Sequence, residues 1–99
     1  MSENRRCRFS PIAELDLEQI GDFIARDNPR RALSFIREIR ERCEKIAWFP
    51  EAIQLRPEMG EGIRLVAHGR YVICFTLKAG EVRVERVLAG SRNIPDLLG

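Results

Sequence analysis

The chain predicts an α+β domain of order β-α-α-β-β-β, with one mainly antiparallel sheet packed on an antiparallel helical hairpin. Three observations carry this reading. Two early stretches, residues 13–24 and 32–46, repeat apolar residues at helical spacing. Three later ones, within residues 62–88, alternate with a period of two and are separated by glycine turns. A Ser-Pro step and an Asn-Pro step stand where the two helices would begin. Helices grouped on one side of an antiparallel meander form a two-layer architecture.

Cys7-Arg8-Phe9 alternates as a short first strand. Ser10 then offers an N-cap and Pro11 a pre-set first helical residue. Ala13, Leu17, Ile20 and Ile24 form one stripe, with Glu14, Glu18 and Asp22 elsewhere, so the first helix is expected to run to about Arg26. Asn28-Pro29 repeats the same punctuation at once, which makes the connection very short and the second helix antiparallel to the first. The second stripe is Ala32, Ile36, Ile39, Cys43 and Ile46, and it is expected to continue to Trp48 and Phe49, where Pro50 closes it.

Residues 51–61 contain Pro57 and Gly60 and read as a loop crossing to the sheet. Residues 62–67 alternate, with Ile63, Leu65 and Ala67 on one side and Arg64, Val66 and His68 on the other. His68-Gly69 supplies a turn. Tyr71, Ile73, Phe75 and Leu77 make the heavy face of the next strand, and Lys78-Ala79-Gly80 makes a second hairpin turn. The last strand is expected to present Val82, Val84 and Leu88 to the helices. The open face is then expected to carry Arg64, Val72, Cys74, Thr76, Arg83 and Val87.

With 99 residues and 44% apolar content, residues 1–99 are expected to form one domain. A domain of this size commits most of its apolar side chains to its core, so function is expected on the outer surface rather than in a deep cavity. The net charge of +2 does not mark a nucleic-acid binder. Its distribution is uneven, because after Glu61 six basic residues, among them Arg64, Arg83, Arg86 and Arg92, stand against Glu81, Glu85 and Asp96. That basic end reads as a solvated face or as a partner surface. Cys7, Cys43 and Cys74 have no CxxC spacing and read as small buried hydrophobes, with no disulfide framework, zinc site or other metal expected. The opening residues carry no apolar run of signal-peptide length, and no stretch is long enough to span a membrane, so a cytoplasmic location is expected.

Four segments together resemble a known family. Phe9-Ser10-Pro11-Ile12-Ala13-Glu14-Leu15-Asp16-Leu17-Glu18-Gln19-Ile20, Asp27-Asn28-Pro29-Arg30-Arg31-Ala32, Gly69-Arg70-Tyr71-Val72-Ile73 and Arg86-Val87-Leu88-Ala89-Gly90-Ser91-Arg92 look like the ParE branch of the ParE/RelE toxin superfamily. The resemblance spans about residues 7 to 98. It implies the toxin of a bacterial toxin and antitoxin pair, neutralised by a ParD-like antitoxin whose C-terminal segment wraps the toxin. Within that superfamily, RelE-like members cut messenger RNA on the ribosome, whereas ParE-like members inhibit DNA gyrase.

The chemistry of RNA cleavage separates the two branches. In-line attack by a 2′-hydroxyl needs a proton acceptor, a proton donor for the leaving oxygen and cations for the phosphorane. The RelE-like pattern places an arginine just after the aromatic residue that opens the central strand, and a tyrosine or histidine near the C-terminal end. Val72 and Leu98 stand at those positions here. Aliphatic side chains neither move protons nor offset phosphate charge, so the expectation is a gyrase inhibitor without catalysis of its own and without a cofactor. Nucleic acid would be met only through gyrase-bound DNA or an antitoxin on its operator. The alternatives are a messenger RNA endoribonuclease using Arg64, His68, Arg70 and Arg92, and a non-toxic antitoxin-binding relic. Arg92, Asn93, Asp96, Leu97 and Leu98 are the expected target-binding residues, and Arg64, Val72, Cys74, Arg83 and Arg86 the expected antitoxin-binding ones.

Overall fold

The structure, a computed structural model that describes residues 6–90, has β1 (Arg6–Phe9), α1 (Pro11–Ala25), α2 (Pro29–Ile46), β2 (Arg64–His68), β3 (Tyr71–Lys78) and β4 (Glu81–Ala89) in chain order. Short 3-10 turns at Pro50–Ala52 and Pro57–Met59 interrupt the loop between α2 and β2. The sheet order is β1-β4-β3-β2, with β1 parallel to β4 and the other pairs antiparallel. Of the described residues, none belongs to a helix long and apolar enough to cross a membrane.

Both helix starts follow from their caps. The Ser10 hydroxyl accepts from the Ala13 amide, and the Asn28 side chain accepts from the Arg31 amide, each relieving a donor that the first turn leaves unpaired. Ala13, Leu17 and Ile20 of α1 and Phe35, Ile39, Cys43 and Ile46 of α2 bury against Ile73, Phe75, Val82, Val84 and Val87 of the sheet. Glu14 on α1 receives both terminal nitrogens of Arg40 on α2, at 2.8 and 3.3 Å, across the exposed side of the hairpin. A pair so exposed contributes little beside the apolar contact.

Three expectations are corrected. Trp48 and Phe49 do not extend the α2 stripe, for the helix ends at Ile46 and the two rings are 52% and 65% exposed. Pro50 is the cause: it disfavours helical backbone at the residue before it, and Phe49 accordingly adopts φ −140°. The second correction concerns β4. Its pairing passes from Phe75↔Val84 to Cys74↔Arg86, leaving Glu85 as an extra residue in a β-bulge. One extra residue reverses the alternation beyond it, so Val87 joins the helix-facing core and Leu88 turns to the open face. The third is Arg64, which pairs with Phe75 and so lies on the helix-facing side with Val66, while Leu65 turns to the open face beside Cys74.

The two hairpin turns follow different rules. Gly69 (φ +60°) and Arg70 link β2 to β3 with only the first central residue at positive φ, as a type II′ turn requires. Between β3 and β4, Ala79 (φ +48°) and Gly80 (φ +77°) both adopt the left-handed conformation of a type I′ turn. Alanine pays a steric cost there that asparagine largely avoids. Ala79→Asn is predicted to raise unfolding stability by about 0.5–1 kcal/mol in urea titrations; an unchanged or lower midpoint would contradict the turn assignment.

Candidate functional site

Because β1 ends at Phe9, the outer edge of β4 beyond Val84 has no strand beside it. The chain fills that edge with side chains from the start of α1. The Ser10 amide donates to the Val84 carbonyl at 2.9 Å, and its hydroxyl donates to the Glu85 carbonyl at 2.9 Å. Nearly two turns further along, Asp16 accepts from the Val87 amide at 2.9 Å and from two nitrogens of Arg86, Nε at 2.8 Å and Nη2 at 3.0 Å. The Asp16 side chain is 8% exposed and that of Arg86 21%, so this is a largely dehydrated, bidentate pair.

Asp16 was not singled out in the sequence, although a signal was present. It lies on the buried stripe, one position before Leu17 and three after Ala13, where a carboxylate demands a partner. Arg86, in an otherwise apolar half-strand, is that partner.

Beside this pair lies an open depression of about 780 Å³ between α1 and the end of β4. Its walls include Gln19, Ile20, Phe23, Tyr71, Leu88 and Gly90, with Arg70 adding a cation. Phe23 is 62% exposed on α1, and the Arg26 guanidinium lies 5.9 Å from its ring centroid. The depression joins an apolar wall to a cationic neighbour and to a carboxylate already neutralised by Arg86. A second depression runs along the hairpin between Leu17, Gly21 and Ala25 of α1 and Leu33 and Ile36 of α2, with Glu14, Glu18 and Asp22 along α1.

The expected target-binding residues Arg92, Asn93, Asp96, Leu97 and Leu98 lie outside the described residues. Of the expected antitoxin-binding set, the structure brings Val72, Cys74, Arg83 and Arg86 onto the open face and separates Arg64 from them. Arg64 instead donates through Nη1 to the Ile53 carbonyl, and its buried Nε has no hydrogen-bond partner among the described residues. Cys74 is fully buried, covered with Leu88 by Met59, Leu65 and Val72. Its thiol is pushed up to about 12 by burial. Arg83 remains exposed, 3.3 Å from Glu85, whose other oxygen accepts from the Thr76 hydroxyl at 2.8 Å.

His68 does not join an open-face cluster. Its ring tilts against Phe35 with centroids 5.4 Å apart, and Nε2 lies 3.4 Å from Glu38. The Arg31 guanidinium donates to the same carboxylate at 2.6 Å, and that hydrogen bond, with the smaller one from His68, holds Glu38 below the usual carboxylate range. Arg64 and His68 thus face the helices, whereas Val72 faces the opposite side of the sheet.

A family model described as the ParE toxin of the type II toxin-antitoxin system parDE matches residues 7–94. A solved structure titled "Chromosomal ParDE TA system from P. aeruginosa" shares the fold with a TM-score of 0.75 at 20% identity, covering 87% of this chain and 96% of that one. No curated protein matches the sequence.

Removing the Asp16 carboxylate strands the Arg86 charge and the Val87 amide together. Asp16→Ala is predicted to cost about 2–4 kcal/mol in equilibrium unfolding, and Asp16→Ala with Arg86→Met to recover part of that loss. A single-variant loss below about 1 kcal/mol would show that the pair does not hold the edge.

Proposed function

The chain belongs to the ParE toxin family of type II toxin-antitoxin systems, and from that premise we propose that it inhibits DNA gyrase by binding it, without catalysis, and that a ParD-like antitoxin neutralises it. Gyrase acts on DNA inside the cell, so the proposed site of action is the cytoplasm. The observation that most supports binding over RNA cleavage is Val72. It occupies the place where the ribonuclease branch carries an arginine, and it packs with Cys74 and Leu88 on the open face. An aliphatic group at that position offers nothing to a phosphorane.

The depression at the end of β4 is proposed to meet the target, and Arg92, Asn93, Asp96, Leu97 and Leu98, which come after Ser91 in the sequence, are the proposed target-binding residues. The proposed antitoxin surface is the open face of the sheet. Val72 contributes apolar area there and Arg83 an exposed charge, while Cys74 supports it from beneath. Arg86 takes part from its margin while also holding Asp16, whereas Arg64, on the helix-facing side and bonded to the Ile53 carbonyl, lies apart from that face. An acidic amphipathic segment that folds on binding fits this combination.

Adding the antitoxin-free protein to a supercoiling reaction is predicted to block gyrase and to accumulate cleaved DNA. Unchanged supercoiling together with cleavage of ribosome-bound message would overturn the proposal in favour of a ribonuclease. No growth arrest on expression without antitoxin would instead indicate a relic. For the antitoxin surface, Arg83→Glu is predicted to weaken the toxin-antitoxin complex roughly tenfold at low salt and to flatten its salt dependence. Unaltered binding would remove Arg83 from the interface.

A further inference from the structure

The groove along the helical hairpin, about 600 Å³ in volume, belongs to neither the proposed target surface nor the proposed antitoxin surface. It opens on the side turned from the sheet, for Phe35 and Ile39 of α2 bury against the strands whereas Leu33 and Arg37 are exposed. Glu14 and Arg40 close one end, and Ala25 and Pro29 lie at the other. Leu33 stands at its lip, 71% exposed.

The two walls differ in charge. α1 carries Glu14, Asp16, Glu18 and Asp22 and no Lys or Arg from Pro11 to Ala25. Over residues 29–40, α2 carries Arg30, Arg31, Arg37 and Arg40 against Glu38 alone. Some of these are already neutralised within the chain: Asp16 by Arg86, Glu14 by Arg40 and Glu38 by Arg31. Among the described residues no ion pair holds Glu18 or Asp22 on one wall, or Arg30 or Arg37 on the other. Gly21 and Ile36 meet across the floor, where a Cβ on Gly21 would lie 3.6 Å from Cγ1 of Ile36. Asp22 and Arg37 are the next residues on each helix, so they stand within about 3 Å of one height on opposite walls.

A surface that holds both signs of unpaired charge at one height is complementary to itself. We propose that this groove is the interface of a symmetric dimer of the chain, in which α1 of each copy lies over α2 of the other and Asp22 pairs with Arg37 of the second copy. A two-fold axis along the groove exchanges the walls and preserves the heights, so the pair forms twice. Leu33 then packs beside Ala25 of the second copy. A two-fold axis across the groove stacks α1 on α1 and α2 on α2, which sets acids against acids and arginines against arginines. Charge therefore selects the orientation as well as the occupant. A foreign helix pair would need an acidic and a basic row at matching heights, and a second copy has them. The contact is confined to two short helix faces, which places the dissociation constant at about 1–100 µM. It leaves the open face of the sheet free.

The test is sedimentation equilibrium of the purified full-length chain at low salt across that concentration range. The expected mass rises from 11.4 kDa toward twice that value. Asp22→Arg and Arg37→Asp, both at exposed positions, each weaken association roughly tenfold or more while circular dichroism stays unchanged. An equimolar mixture of the two variants associates again, because each cross-pair is once more opposite in charge. A chain that stays monomeric throughout would overturn the proposal and leave the groove to a foreign partner. A dimer indifferent to both substitutions, or a mixture of the variants that remains monomeric, would also overturn it. None of these readouts depends on gyrase or on an antitoxin.

Discussion

A strand edge that its neighbour leaves uncovered must still satisfy its backbone donors and acceptors, and in this protein the N-terminal part of α1 does so. β1 covers β4 only to Val84. Ser10 then takes the next positions with its amide and hydroxyl, and Asp16 takes the Val87 amide. The same Ser10 hydroxyl caps α1, so the start of the helix and the end of the strand pairing are a single construction. Arg86 neutralises the buried carboxylate, which makes its burial tolerable.

The bulge at Glu85 lies between these contacts and explains why the two halves of β4 serve different purposes. Before it, Val82 and Val84 face the helices with Cys7 and Phe9 on the neighbouring strand. After it, Val87 continues the core while Arg86 and Leu88 turn to the open face. The open face consequently gains an apolar centre, Cys74 and Leu88, and keeps Arg83 in solvent. The end of β4 also meets α1 at the depression walled by Phe23 and Tyr71. A partner segment would therefore find distinct surfaces on one small sheet, in keeping with the proposed target and the proposed antitoxin.

Local chemistry made most of the fold readable. Ser10-Pro11, Asn28-Pro29, Gly69 and Gly80 each impose a cap or a turn that needs no distant contact. What stayed hidden depends on pairing between distant residues. Nothing near Glu85 announces a bulge, because the register with Cys74 and Phe75 creates it, and every later side-chain direction on β4 depends on it. Arg64 is a similar case, as alternation alone does not say which set faces the helices. Asp16 was legible as a carboxylate on an apolar stripe.

The most direct measurement of this arrangement is hydrogen exchange at the Val87 amide in the folded protein. If the Asp16 carboxylate closes the edge of β4, that amide exchanges only through global unfolding, as slowly as the interior amides of β3, and Asp16→Ala makes it exchange through local opening while β3 stays protected. Exchange of Val87 in the unaltered chain at the rate of an open strand edge would contradict the account.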